Sequence, residues 1–597
     1  MTAVAGERDS LPLCLAANPT IDGFLSTWLL FAASPAKVLM LAALPVMAAI
    51  WALLSPPAVL SEEMTWDFLF NLAGAWHLHL GHVPHVDFHG PVGQLSFLLT
   101  DIGFRLVGVG PRAFLAGAVL VAVVLFVATA AVALRRLPPL PAAIFVMFVC
   151  LLALMPANVG DKPTAHTFAM SYNRYGWSCI SVLFLILFLP PRPWRWGDAT
   201  DIAVAAGLLA AMFYLKMTYF LVGIAALPVA GLVCAHVRGA PRGWCALGLG
   251  AFELAIAPVN RPYWADLFAA AGAGQMRGVS TDYFDNFLQY KAEYAPYLAA
   301  LAVALWLWRR KDAPLRLPVA TGFILAAGAA LLSQNAQVHG LPAAVVIAFL
   351  FYALLRERHL QHRRGGSMGL LLALLVFPLL SVGTSMASLA SYNIEASGHG
   401  LRTLRGTNLQ GLAAPAEPPG LLAAFASARP DYHLLNRARV ASPGYELSSS
   451  EYVETLLDAV ALLGKAPGRH DRIVVVDQVN PFPFMLGLAP PRGGNLWSGP
   501  DAPRRPPERL FADADCVLIP KFSTYGLWTQ QALALYRPYL ERHFPLRSES
   551  ESWILLRRGL VAAATDNEPP PTPEGLTVSR NAGPRKGPLM SAAPFVP

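Results

Sequence analysis

Asp67 is the side chain whose position most clearly indicates chemistry. It lies in the stretch SEEMTWDF, residues 61–68, shortly after the first apolar run of the chain. A carboxylate at a membrane surface can act as a general base toward the hydroxyl group of an acceptor, if the other substrate is carried by a lipid. The alternative is that Asp67 only stabilises the start of a surface helix, where aspartate is favoured.

Asp87 is a second candidate catalytic carboxylate, in the loop GHVPHVDFHGP, residues 81–91. It could orient the acceptor, or hold a divalent cation together with Asp67. The alternative is a turn residue, because aspartate is common in proline-containing turns. Imidazoles also bind zinc, but the spacing of the histidines in this region matches no known zinc site. These histidines are His77, His79, His82, His85 and His89.

Two basic residues, Arg174 and Lys216, are the candidates for binding a lipid phosphate. Each lies at the end of an apolar run, where a cation needs a partner. Arg174 follows Tyr172 and Asn173 in the segment SYNRYGW, and its guanidinium could bind a phosphate through two hydrogen bonds. Tyr172 and Asn173 are candidate substrate-binding residues. The alternatives are an aromatic belt with a snorkelling arginine, and an interfacial lysine.

A polar cluster between two later apolar runs supplies further candidates. We assign His339 to the donor phosphate and Gln334, Asn335 and Gln337 to the substrate. A hydrated turn would also explain them. Asn71 is the last candidate. On a helix predicted over residues 64–80 it shares a face with Asp67, Gly74 and Ala75, and this face of polar and small residues suits a substrate groove.

The composition indicates that these residues are positioned by the helices of a membrane protein. The chain has 597 residues, of which 55% are hydrophobic and 14% charged, and its mean hydropathy is +0.47. These values are typical of an integral membrane protein. The net charge of +8 comes from short basic clusters between apolar runs, a distribution that sets topology, so no nucleic-acid partner is expected. The six cysteines form no recognisable disulfide framework or metal motif.

Eleven apolar runs are long enough to be predicted as membrane-spanning helices in the lipid bilayer. Arginine clusters recur at every second connection, which places the amino terminus in the cytoplasm and the first outer loop, residues 56–112, on the other side. We therefore predict a multi-pass protein of a bacterial inner membrane, with a periplasmic carboxy-terminal part. The predicted spans are 37–55, 113–134, 139–156, 176–190, 201–215, 217–236, 244–259, 295–308, 317–333, 341–355 and 368–388.

The predicted fold class is an α-helical polytopic membrane protein with a soluble carboxy-terminal α/β domain. We divide the chain into a cytoplasmic segment (1–36), a transmembrane domain (37–390), a periplasmic α/β domain (391–560) and a disordered tail (561–597). In the α/β domain we expect a helix ending near residue 463, strands at 472–477, 516–520 and 552–557, and a helix over 525–543. No nucleotide-binding glycine motif is present.

With Asp67 in the first outer loop, about eleven spans and a soluble outer domain, the sequence resembles the GT-C superfamily of integral membrane glycosyltransferases. The likeness is to the branch of protein O-mannosyltransferases and lipid A aminoarabinose transferases. Residues 81–88 are similar to the family stretch of glycine, proline, aromatic, any residue, aspartate and phenylalanine, with His85 at the aromatic position. Many relatives carry an Asp-Glu pair where this chain has residues 66–68, WDF.

The resemblance implies transfer of a sugar from a polyprenyl-phosphate donor to a periplasmic acceptor, which would be a lipid, a polysaccharide or a protein. It implies no certain cofactor, and a divalent cation stays open. Two other functions stay open as well. A transporter or flippase would need charged residues in mid-span and related halves, and no internal repeat is visible. A non-catalytic partner in envelope polysaccharide synthesis would not need the base.

Overall fold

The computed structural model describes ten segments of the chain. They are residues 35–274, 291–333, 340–359, 364–398, 401–415, 447, 449–466, 471–499, 502–521 and 526–558. The predicted disordered tail, and residues 1–34 of the predicted cytoplasmic segment, lie outside them.

All eleven predicted apolar runs are helical. Two further helices, α2 and α3, lie in the first outer loop, and α2 matches the helix predicted over residues 64–80. The helices up to residue 397 are α1 (Pro35–Leu54), α2 (Thr65–His79), α3 (Leu95–Val107), α4 (Arg112–Ala133), α5 (Pro139–Leu154), α6 (Ser171–Phe188), α7 (Gly197–Leu215), α8 (Met217–Val233), α9 (Ala235–Gly239), α10 (Pro241–Ile256), α11 (Arg261–Gly274), α12 (Lys291–Arg309), α13 (Arg316–Ser333), α14 (Val345–His359) and α15 (Arg364–Ser397).

Within the described residues, two helices are long and apolar enough to cross a membrane by themselves, Arg112–Ala133 and Gly197–Leu215. A third span is formed if the pair Pro241–Ile256 and Pro258–Ala273, bent by 51°, counts as one. Five other apolar helices are shorter, among them Pro139–Leu154 and Met217–Val233. The helical character of the runs is thus confirmed, whereas the number of crossings and the side that each end faces stay predictions.

Charged residues at one end of the bundle are paired with each other. Asp201 of α7 accepts hydrogen bonds from Arg135 at 2.9 Å and from Arg136 at 2.7 Å. Arg136 is buried and also donates to the carbonyl oxygens of Leu189 and Ile186 at the end of α6. The connections after α4 and after α6, which the sequence placed on the cytoplasmic side, therefore lie together.

At the other end, α7 and α8 are separated by one extended residue, Lys216, with φ −159° and ψ 122°. The Gly93 N–H of the first outer loop donates to the Leu215 carbonyl at 3.1 Å. A Cβ atom at Gly93 would come within 2.2 Å of the Tyr214 carbonyl oxygen, so only glycine allows this approach. The first outer loop is thereby attached to the break that carries Lys216.

The carboxy-terminal elements form two small sheets. Strand β1 (Val59–Leu60) of the first outer loop pairs in parallel with β3 (Leu412–Pro415), which also pairs with β2 (Leu401–Thr403). The second sheet has the order β4-β5-β7-β6, from β4 (Ile473–Val475), β5 (Cys516–Pro520), β6 (Leu546–Glu549) and β7 (Trp553–Arg557). The accompanying helices are α16 (Ser449–Lys465), α17 (Phe482–Leu486), α18 (Pro507–Leu510) and α19 (Gly526–His543).

The predicted strands and both predicted helices of this region are present. The domain boundaries at 390 and 560 stay predictions. The elements dock on the first outer loop: the Trp76 indole donates to the Leu488 carbonyl at 2.8 Å, and Phe104 stacks on Phe484. A separate hydrophobic core in this region includes apolar residues of β4, β5, β7 and α19, among them Val517 and Tyr536.

Candidate active site in the first outer loop

Asp67 lies in the first turn of α2, one turn after Met64, which adopts a left-handed conformation with φ 50°. Its backbone N–H donates to the Met64 carbonyl at 2.9 Å. The side chain is half-buried, and among the described residues no donor lies within hydrogen-bonding distance of its carboxylate. Burial raises the pKa of Asp67 to about 7. A carboxylate with such a pKa is suited to exchange protons near neutral pH.

Three other candidates, Tyr172, Asn173 and Lys216, lie close to one another, and Asp67 acts on the first of them. The Asp67 charge acts on the Tyr172 hydroxyl in the first turn of α6. Lys216 Nζ lies 5.5 Å from the centre of the Tyr172 ring and donates to Asn173 Oδ1 at 3.3 Å. A carboxylate and a lysine from separate segments thus both act on Tyr172. We call Asp67, Tyr172, Asn173 and Lys216 the acid–lysine cluster.

The lysine of this cluster sits at the start of a long helix. Because α8 begins at Met217, its first N–H groups and the positive end of its dipole are next to Lys216. The Thr218 hydroxyl oxygen in this first turn is buried and has no hydrogen-bond partner among the described residues. A helix amino terminus, an ammonium group and a hydroxyl group together suit an anion.

Asn71 and Gly74, which the sequence placed on the face of a substrate groove, both contact the neighbouring helix α3. The Asn71 amide oxygen accepts a hydrogen bond from Thr100 of α3 at 2.6 Å. A Cβ atom at Gly74 would come within 2.5 Å of the Phe97 ring, so the space beside this glycine is filled by α3. The Phe97 side chain thus occupies the space beside Gly74 where the sequence suggested a groove, and Thr100 holds Asn71. A role of Asn71 in substrate binding stays a prediction.

Asp87 closes a turn and contacts the carboxy-terminal region. Its Oδ2 atom accepts a hydrogen bond from the Val83 N–H at 2.8 Å, and its Oδ1 atom lies 3.6 Å from Nε of Arg492. These are the contacts of the turn-residue alternative. A catalytic role of Asp87 stays a prediction.

Arg174 is buried in α6 and points into the connection between α5 and α6. Its Nη1 atom donates to the Ala157 carbonyl at 2.9 Å and to Asn158 Oδ1 at 3.3 Å. These bonds hold the loop that precedes α6. They use only the Nη1 group of the guanidinium, and Nε is buried without a hydrogen-bond partner among the described residues. The assignment of Arg174 to the donor phosphate stays a prediction.

The five histidines of the first outer loop are divided among three environments. His77 and His82 face each other with 3.0 Å between their Nδ1 atoms, and burial together with the His82 charge lowers the pKa of His77 to about 3. His79 contacts Asp101 at 2.8 Å. Among the described residues these histidines form no group of three potential metal ligands with each other, with Asp67 or with Asp87.

Asp266 of α11 is a buried carboxylate that sequence reasoning missed. It contacts His85 at 3.0 Å and His89 at 2.9 Å, and it accepts a hydrogen bond from Arg505 at 3.0 Å. Three distant segments therefore share one charged group. A lone aspartate after an apolar run gave no signal, because its partners are about 180 residues before it and about 240 residues after it.

A second acidic group was missed in the first outer loop. Burial raises the pKa of Glu63, and the charges of Asp161 and Glu62 raise it further. Glu62 also belongs to the one set of potential metal ligands found among the described residues, with His166 and Glu395. The signal was the Glu-Glu pair itself, directly before the helix that carries Asp67. The candidates Gln334, Asn335, Gln337 and His339 lie outside the described residues.

Two solved structures are similar to the chain. They are crystal structures of ArnT from Cupriavidus metallidurans, one in the apo state (TM-score 0.39, 14% identity, 86% of this chain and 97% of that chain) and one bound to undecaprenyl phosphate (TM-score 0.42, 12% identity, 89% and 99%). No protein-family model and no curated protein matches the chain.

Proposed function

We propose that the protein is a GT-C-type membrane glycosyltransferase that moves a sugar from a polyprenyl-phosphate donor to a periplasmic acceptor. The observation that carries the proposal is the acid–lysine cluster. A half-buried carboxylate with a pKa of about 7 acts on the Tyr172 hydroxyl, and the amino group of a lysine at a helix start lies 5.5 Å from the centre of the same ring.

The cluster contains the two functions that this transfer needs. Asp67 accepts the proton of the acceptor hydroxyl as its oxygen attacks the anomeric carbon of the donor sugar. The bond between that carbon and the phosphate oxygen breaks, and the polyprenyl phosphate leaves with the bonding electron pair. Lys216 and the amino terminus of α8 stabilise the negative charge that develops on this phosphate.

The position of the cluster also supports a lipid-linked donor. Lys216 is at the end of α7, a helix long and apolar enough to span a bilayer, and Asp67 is in the connection between α1 and α4. A phosphate with an apolar chain would place its head group at Lys216 and its chain along the helices. The acceptor would then approach from the side of the first outer loop.

The test is donor binding and donor cleavage by the full-length protein in lipid nanodiscs. Undecaprenyl phosphate is the probe for binding, and the same lipid carrying a radiolabelled sugar, with a cell-envelope fraction as acceptor, is the probe for transfer. Lys216→Met removes a charged hydrogen-bond donor, so we expect roughly 10- to 100-fold weaker binding of undecaprenyl phosphate.

Lys465→Met is the matched control, because Lys465 is an exposed lysine at the end of α16, and it should bind as the wild type does. Equal binding by the Lys216→Met variant would contradict the phosphate site. Movement of intact labelled donor across a vesicle bilayer, without cleavage of its sugar–phosphate bond, would favour the flippase instead.

A further inference from the structure

Glu62, His166 and Glu395 meet near the start of α2, although they come from three separate segments. Glu62 precedes α2, His166 is in the connection between α5 and α6, and Glu395 is in the last turn of α15. One potential ligand atom from each lies within 4.8 Å of the other two. The His166 Nε2 atom is 3.4 Å from Glu395 Oε2. A single ion could therefore contact all three side chains.

The backbone holds two of these residues in fixed register. The N–H groups of Glu62 and Glu63 donate to the His166 carbonyl at 3.0 and 3.2 Å, and the His166 N–H donates to Glu62 Oε2 at 3.3 Å. Ser391 of α15 lies 3.3 Å from His166 Nε2 and donates to the Pro163 carbonyl, so the last helix is fastened to the same loop. Hydrogen bonds within the protein therefore hold these segments next to one another.

The imidazole of His166 is an independent indication of a ligand. Its side chain is 0% exposed, and its Nδ1 atom has no hydrogen-bond partner among the described residues. A buried ring nitrogen without a hydrogen-bond partner is costly and uncommon, and a bound ion or water is a usual explanation. One ring nitrogen of His166 lies within 4.8 Å of an oxygen of each carboxylate, so a ligand at His166 is within reach of both.

The charge of the group also favours a cation. Two carboxylates face one imidazole, and among the residues that the structure describes no Lys or Arg lies within 4 Å of either carboxylate. Carboxylates brought together without a counter-charge repel each other, and a divalent ion removes that repulsion.

We propose that Glu62, His166 and Glu395 form a binding site for Zn²⁺. Zinc binds both imidazole nitrogen and carboxylate oxygen, whereas Mg²⁺ and Ca²⁺ prefer oxygen ligands alone. Three protein ligands leave one position of a tetrahedral zinc ion open to water. The ion fixes the connection before α6 and the end of α15 to the residues that precede Asp67. This site is separate from the proposed transfer reaction, and its test does not use activity.

The experiment measures Zn²⁺ bound to the full-length protein in detergent, after treatment with a chelator and titration with Zn²⁺ alone. We expect one tightly bound ion per chain, and binding at least 10-fold weaker in Glu395→Gln. Glu395 is partly exposed, so this variant should fold. Glu541→Gln, an exposed glutamate of α19, is the matched control and should bind as the wild type does. Mg²⁺ at the same concentration should not displace the zinc.

The chain has 14 histidines, so zinc must be assigned to this site by a second variant. His166→Gln should lose the same ion, whereas His543→Gln, in α19, should keep it. In the visible spectrum of the Co²⁺-substituted protein, the band of a four-coordinate ion should disappear in Glu395→Gln and remain in Glu541→Gln. A wild-type protein without stoichiometric Zn²⁺, or equal zinc in Glu395→Gln and the wild type, would overturn the proposal.

Discussion

The two ends of the helical bundle differ in whether their charged side chains are paired. At one end Arg135 and Arg136 are paired with Asp201 at 2.9 and 2.7 Å, and every partner is a protein group. At the other end the Asp67 carboxylate has no hydrogen-bond donor among the described residues, and burial raises its pKa to about 7. Paired charge in a bundle stabilises structure, whereas an unpaired carboxylate of raised pKa is available for chemistry.

The largest effect expected from this comparison is on transfer in Asp67→Asn. Asparagine has nearly the same shape but cannot accept a proton, so the rate should fall roughly 100- to 10,000-fold. Sugar transfer from a labelled undecaprenyl-phosphate donor in isolated membranes is the measurement, with the amount of protein in the membrane as the control. Loss of the protein from the membrane would favour the helix-stabilising role of Asp67.

Asp201→Asn should give the opposite result, a loss of stability. The substitution leaves two arginines without their counter-charge, which should lower the free energy of unfolding by about 3–5 kcal/mol. Thermal unfolding in detergent, followed by tryptophan fluorescence, measures the change. Asp198→Asn, an exposed aspartate in the first turn of the same helix, is the control and should unfold at the wild-type temperature. Equal stability of the two variants would contradict the structural role of the arginine pair.

Asp87→Asn should have the smallest effect. The Asp87 carboxylate accepts one backbone hydrogen bond and lies 3.6 Å from the largely exposed Arg492. Loss of these contacts should destabilise the turn by about 1 kcal/mol and slow transfer by less than about 10-fold. The transfer assay used for Asp67→Asn measures this effect. A loss as large as that of Asp67→Asn would move the base to Asp87.

Local signals in the sequence were sufficient for the helices of the apolar runs and for three of the seven strands that the structure describes. The apolar runs became helices, and the strand predicted at 516–520 is Cys516–Pro520. Hydrophobic length and β-branched composition are properties of the segment itself, so they need no knowledge of its neighbours. The Lys216 break was suggested by a single charged residue inside a long apolar stretch.

The site could be predicted only in part, because periodicity shows which residues share a face but not what lies opposite. Asp67 and Lys216 could be selected from the sequence because a charged residue is notable directly beside or shortly after an apolar run. That Gly74 would admit Phe97, and that Arg174 would donate to Ala157, depends on partners from other segments. Asp266 was missed for the same reason.

The pH dependence of the transfer rate tests the central claim most directly. Only the ionised form of Asp67 accepts a proton, so the rate should rise about tenfold per pH unit at low pH and stop rising near pH 7, the raised pKa of this carboxyl. Burial lowers the pKa of Lys216 to about 7 as well, so loss of its ammonium charge should lower the rate at higher pH. In Asp67→Asn the remaining rate should not show this rise. A wild-type profile that is flat between pH 5 and 8, or the same rise in Asp67→Asn, would contradict the assignment of Asp67 as the base.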